Sequence, residues 1–148
     1  PARDIIRAIL ANGALPALDW APGKWLFGRG RLVRALVEEF SPAELVLIDT
    51  SLRPLGWPAP RLYRVARRQG RAVLAGSDPL PVAGEEDVAG AYHASFVLPG
   101  LADPTRIVAP LKAALAAGGL DVARGGRRAG PLAVFRRLRR HAQEKATP

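Results

Sequence analysis

RAVLAGSDPLPV, residues 71–82, reads as a strand that ends by holding up a carboxylate. Four small or apolar residues, Ala72 to Ala75, run into Gly76, and Ser77 and Asp78 follow just before Pro79. A continuous apolar run bounded by turn residues is the pattern of a strand covered on both faces. Two upstream stretches share it. SPAELVLID (41–49) turns and then runs apolar from Leu45 to Ile48, and ALPALDW (14–20) is a shorter version. Helical stripes separate the strands. RDIIRAILANG (3–13) places Ile5, Ile6, Ile9 and Leu10 on one face and stops at Asn12-Gly13. GRLVRALVEEF (30–40) does the same with Leu32, Val33, Leu36, Val37 and Phe40. PRLYRVARRQG (60–70) predicts a third helix with Leu62, Val65 and Ala66 inward and Gly70 as its stop. Helix–strand alternation of this kind implies βα crossovers and an α/β fold, with a parallel sheet covered on both faces.

The pattern changes after Asp78. PLPVAGEEDVAG (79–90) is a loop rich in Pro, Gly and acids. AYHASFVLP (91–99) alternates, with Tyr92, Ala94, Phe96 and Leu98 on the drier side. Asp103-Pro104 forms an N-cap and first-turn pair. Pro110 interrupts the helix begun there, which predicts a short turn and then a helix over 110–117, stopped by Gly118-Gly119. ARGGRRAG (123–130) reads as flexible. PLAVFRRLRRHAQEKA (131–146) reads as a helix with Leu132, Phe135, Leu138 and Ala142 on one face. The expected division is an α/β domain over 1–123 and a basic helical tail over 124–148.

Charge supports that division. The chain of 148 residues carries +9. Residues 124–148 hold eight Lys/Arg against Glu144 alone, net +7, while residues 1–123 hold 14 against 12, net +2. Hydrophobic residues make up 49% and mean hydropathy is +0.04, as in an ordinary globular domain. With no cysteine, disulfides, thiolate metal sites and a Cys nucleophile are excluded. No apolar run reaches the roughly 18–20 residues that cross a bilayer. The start lacks a signal-peptide pattern, so the expectation is a cytoplasmic protein without membrane contact. A start at Pro1 and the lack of Met suggest a processed product or a piece of something longer.

Familiar catalytic motifs fail. Gly23-Lys24 has Leu18 where a P-loop needs glycine, and Trp25 where it needs Ser or Thr. GRGRLV (28–33) has Val33 in place of the third glycine of a dinucleotide fingerprint. Ser77 lacks both flanking glycines of a nucleophile elbow. The only histidines, His93 and His141, lie far apart. The remaining signal is positional, because parallel sheets build sites at the carboxyl ends of their strands. The first end offers Asp19, then Trp20, Lys24 and Trp25. The second offers Asp49, Thr50, Ser51 and Arg53, with Trp57 beyond. The third offers Ser77 and Asp78. Arg53 and Lys24, with Ser77 beside them, are candidate anion-binding residues above Asp78. The plainer reading has Arg53 tying two loops together through Asp49 or Asp78.

Together, ALPALDWAPGKWLFGRGRLVRALV (14–37), LIDTSLRPLGWPAP (47–60) and VLAGSDPLPVAGEE (73–86) resemble the C-terminal half of a branch of the PHP (polymerase and histidinol phosphatase) family. The tail segment GGRRAGPLAVFRRLRRH (125–141) fits the same likeness. The resemblance implies a fold made of parallel βα units forming part of a distorted, TIM-like (β/α)7 barrel, with a C-terminal basic helix. It implies metal-dependent phosphoester hydrolysis by the complete barrel. Asp78 would be catalytic, as metal ligand or general base, and Asp49 a second metal ligand, with Asp19 weaker. The divalent metal would be Mn, Zn or Mg in the complete protein, with none held tightly by this chain. The partner would be the N-terminal half of the same barrel, or a second copy. Two departures count against activity of this stretch. No H-x-H pair is present, and Asp78 is followed by Pro79 and Leu80 where the family has Asp-x-His.

A second expectation comes from the tail. Arg127, Arg128, Arg136, Arg137, Arg139 and Arg140 would let a non-catalytic α/β module bind nucleic acid or another polyanion. Phe135 is the one aromatic among them, and the helical pattern assigns it to the apolar face. A solvated amphipathic helix and a purely structural fragment are the plainer readings.

Overall fold

The computed structural model describes residues 2–25, 27–98, 103–118 and 120–146. Helix α1 (Ala2–Ala11) leads into β1 (Ala17–Asp19). The short α2 (Pro22–Trp25) and the longer α3 (Phe27–Glu39) return the chain to β2 (Val46–Thr50), and α4 (Arg61–Arg68) returns it to β3 (Val73–Gly76). The three strands pair in parallel in the order β1-β2-β3, with Leu18 opposite Leu47 and Leu47 opposite Val73.

Strands laid down in sequential order by crossovers of one hand receive their helices on one side. That is the arrangement here. Trp20, Val37, Leu47, Tyr63, Ala66 and Val73 form one buried cluster between the sheet and helices α3 and α4. A second cluster, Ile6, Leu36, Phe40 and Leu45, seats α1 against α3. The opposite face carries the register row Asp19–Ile48–Leu74, whose residues are only half-buried. The expectation of a sheet covered on both faces is therefore corrected for this row. The inward face of α4 is corrected at Val65, while Leu62 and Ala66 pack against the cluster as expected. Tyr63 and Ala66 point inward while Val65 is 45% exposed. Tyr63 fills the space because its hydroxyl finds an acceptor, donating to Ile48 O at 3.1 Å.

Arg71 locks the lower end of this unit. It is buried, and its guanidinium donates to Val37 O (2.8 Å), Phe40 O (2.5 Å), Ser41 O (3.0 Å) and Leu45 O. A cation set against the carbonyls that end α3 meets the negative end of the helix dipole. Burial pulls the Arg71 pKa down, and Glu44 opposes that pull.

Beyond β3, strands β4 (Tyr92–Phe96) and β5 (Val122–Gly126) pair antiparallel. Tyr92 is buried on the drier side of β4 as the alternation predicts, and His93 and Ser95 are exposed. The ribbon reaches β3 through Ser77 Oγ, which donates to Tyr92 O at 3.2 Å, and through Arg124 Nη2, 3.4 Å from Val73 O. Strand β5 corrects the reading of 123–130 as flexible over 123–126, and it runs across the expected division at 123/124. Gly125 and Gly126 look like linker residues, but the pairing requires them. Gly125 sits opposite His93, whose ring occupies the space a Cβ would take, and Gly126 has φ 70° against the Ala91 carbonyl.

Asp103 caps a single turn (Pro104–Arg106), accepting from Thr105 N at 2.9 Å. Helix α5 (Val108–Ala116) follows, with Pro110 in its first turn, where no amide hydrogen is required. Gly119, expected as part of its stop, lies outside the described residues. Helix α6 (Pro131–Ala146) forms as predicted, but its buried face is rotated. Val134 and Arg137 are buried, whereas Leu132 and Phe135 are 60% and 61% exposed. The buried carboxylate of Glu85 explains the rotation. Drawing Arg137 inward to it turns the Leu132–Phe135 side outward.

Candidate functional site

The carboxyl ends of β2 and β3 meet, and the polar residues there are almost wholly buried. Asp49, Thr50, Ser51, Arg53, Ser77 and Glu85 all fall in this class. Asp49 takes Arg53 in a two-pronged pair, Nε to Oδ1 and Nη2 to Oδ2, each 2.6 Å. The Tyr92 hydroxyl donates to Oδ2 at 3.1 Å. The third arm of Arg53 donates to Trp57 O at 2.6 Å. Burial lowers the Arg53 pKa, and the Asp49 carboxylate more than offsets this. Burial also raises the Tyr92 phenol, and Asp49 raises it further, so the hydroxyl stays a donor.

The β3 end is bound to β2 by a second set. Ser51 Oγ donates to Ser77 O at 2.5 Å, while Thr50 Oγ1, donating to Trp20 O at 3.0 Å, ties β2 to the end of β1. Arg137 reaches in from α6. Its Nη1 donates to Ser51 Oγ (2.8 Å), its Nη2 to Asp78 O (3.0 Å), and its Nε and Nη2 to Glu85 (2.9 and 2.6 Å). Glu85 also accepts from Leu80 N at 2.9 Å. Burial pushes the Glu85 carboxyl up, but Arg137 and the Leu80 amide hold it below its ordinary value of 4.5.

The strand-end residues divide accordingly. Asp49, Arg53, Ser77 and the Asp78 backbone share one end of the sheet. Arg53 and Asp49 form the loop brace that was the plainer reading. Asp19 sits in the Ile48 row and Asp49 in the next, so their side chains leave opposite faces of the sheet. Asp78 is half-buried and holds a left-handed backbone, φ 49°. Lys24 lies on α2, and its side chain is outside the described residues. Trp20 and Trp25 belong to the packing, and Trp57 is about half exposed. Trp20 is buried with Trp57 edge-on at 6.3 Å, and Trp25 meets Tyr63 at 5.3 Å while its indole donates to Asp19 O.

The described residues do not fit a divalent metal. Both oxygens of Asp49 accept from Arg53, and no three His, Asp or Glu among the described residues converge on a point. Glu85 and Arg137, the most connected pair at this end, carried no strand-end signal. Glu85 lies in the Pro/Gly loop and Arg137 in the basic tail.

The six tail arginines expected to meet nucleic acid separate into distinct environments. Arg137 is buried, and Arg128 is half-buried with Nη1 3.3 Å from Arg53 O and Pro54 O. Arg140 donates to Ala83 O at 2.9 Å from an exposed position. Arg127, Arg136 and Arg139 are exposed. Among the described residues no helix is long and apolar enough to cross a membrane. Compared with protein-family models, curated proteins and solved structures, the chain matches none.

Proposed function

We propose that this chain is a non-catalytic α/β module that binds nucleic acid through the outer face of α6. The observation carrying this reading is the exposure of Leu132 and Phe135 beside Arg136 and Arg139. At positions i, i+3, i+4 and i+7 these four share one helix face. Arginines alone would attract any polyanion, but an exposed aromatic among them adds a surface on which a base stacks. Single strands, whose bases are free, are the favoured ligand. The buried pairs Asp49–Arg53 and Glu85–Arg137 serve as the frame that holds α6 in place. Fluorescence anisotropy of a labelled dT12 oligonucleotide tests this. Phe135→Ala should weaken binding by about fivefold or more, since a stacked base contributes roughly 1–3 kcal/mol. Equal affinity of wild type and variant would reject the stacking role.

A second reading keeps the PHP-like barrel. Its support is the placement of α3 and α4 on one sheet face, with the Asp19–Ile48–Leu74 row only half-covered. Strands in a (β/α) barrel have that asymmetry, helices outside and neighbouring strands inside. In this reading the row packs against further strands of the same barrel or a second copy, and hydrolysis belongs to the completed assembly. Light scattering at high concentration tests the pairing of copies. A dimer disrupted by Leu74→Lys supports it, and a monomer unaffected by that substitution counts against self-pairing.

A further inference from the structure

At the opposite end of β3 from Asp78 lies a cleft of about 590 Å³, formed by the turn between α4 and β3, the end of α5, and β5. This volume falls within the range of small-ligand sites. Its apolar floor includes Val73, Leu115 and Val122. Two arginines from different elements, Arg67 on α4 and Arg124 on β5, line it as well. Alternation along β5 puts Val122 and Arg124 on the same side, so the apolar floor and the cation come from one strand face. No acid belongs to its described lining. Arg71 adds a third guanidinium to the wall, buried and already committed to backbone carbonyls. Its Nε lacks a hydrogen-bond partner among the described residues.

Like charges facing one cleft repel each other. Burial lowers the Arg67 pKa, and the nearby Arg124 lowers it further. An anion between them removes that repulsion, and two guanidinium forks can divide the oxygens of one phosphate or carboxylate. The apolar floor suits a ligand whose body is hydrophobic.

We propose that this cleft binds a small organic anion, its phosphate or carboxylate held between Arg67 and Arg124 and its apolar body resting on Val73, Leu115 and Val122. The site is separate from the outer face of α6 and uses none of the residues assigned to nucleic acid.

Calorimetric titration of the full chain with phenyl phosphate, benzoate and inorganic phosphate tests it. Phenyl phosphate should bind more tightly than inorganic phosphate, because only the former fills the apolar floor. Comparison with benzoate distinguishes a phosphate from a carboxylate preference. Arg67→Ala and Arg124→Ala should each raise the Kd for phenyl phosphate about tenfold or more. Arg64→Ala, which removes an exposed arginine of the same helix outside the cleft, should leave it unchanged. Arg67 and Arg124 are exposed, and Arg124 gives up only its 3.4 Å contact to Val73 O, so these variants should fold, and circular dichroism checks that; Arg67→Gln and Arg124→Gln replace any that do not. Equal binding of phenyl phosphate and inorganic phosphate, or equal weakening by Arg64→Ala, would overturn the proposal. Neither result bears on dT12 binding, which Phe135→Ala reports separately.

Discussion

Arg137 and Glu85 meet 2.6 Å apart, Nη2 to Oε2, although 51 residues lie between them and both are almost wholly buried. This contact fixes α6 to the strand ends and decides which of its faces looks outward. Removing one partner strands the other charge. Arg137→Met should lower unfolding stability by roughly 3–5 kcal/mol. The double variant Arg137→Met/Glu85→Leu should recover much of that loss. Urea denaturation followed by tryptophan fluorescence measures both, and a double variant no better than the single one would contradict the pairing.

The same pair predicts an acid response. The Glu85 carboxyl titrates below its ordinary value of 4.5 in the folded chain. A depressed carboxylate contributes stability above the unfolded value and loses it as pH falls through the folded one. Stability should therefore decline below about pH 4.5, and Glu85→Gln should flatten that decline while lowering stability at neutral pH. An unchanged acid limb in Glu85→Gln would show that Glu85 titrates normally.

Asp78 holds φ 49°, a region costly for residues with a Cβ and free for glycine. Asp78→Gly and Asp78→Ala both remove the carboxylate, but only alanine keeps the strain. The glycine variant should be more stable than the alanine variant by about 1 kcal/mol. Equal melting temperatures would mean the turn relaxes without cost.

Arg71 closes α3 and the entry to β2 through four carbonyls. Arg71→Met should cost roughly 1–3 kcal/mol by leaving buried acceptors unpaired. Arg71→Lys should fall between, since an ammonium has three donors and no planar fork. A neutral Arg71→Met would show that water replaces the guanidinium.

Much of the α/β frame was legible because its signals are local. Continuous apolar runs at 45–48 and 72–75 and helical stripes at 5–10 and 33–40 each state their own element. Other features depended on residues far apart in sequence. Strand β5 was hidden because Gly125 and Gly126 resemble a linker until His93 is placed opposite them. The facing of α6 is not legible in the sequence because periodicity counts Leu132 and Phe135 as core, and nothing in the stripe reveals a buried carboxylate 52 residues upstream. At the strand ends, position alone brought Asp49, Arg53, Ser77 and Asp78 to one place. It could not say that Asp49 and Arg53 answer each other, or that Asp19 faces the other side.

The salt dependence of dT12 binding tests the central claim most directly. Truncating residues 124–148 would also remove part of β5 and Arg137, so substitution is the sound approach. If Arg127, Arg136 and Arg139 each neutralise one phosphate, log K should fall with log salt at a slope of about −2, close to −0.7 per phosphate on a single strand. Arg136→Ala/Arg139→Ala should reduce that slope to about −0.7 while leaving the urea midpoint unchanged. An unchanged slope in the double variant, or dT12 binding absent from the wild type at low salt, would contradict a nucleic-acid surface on α6.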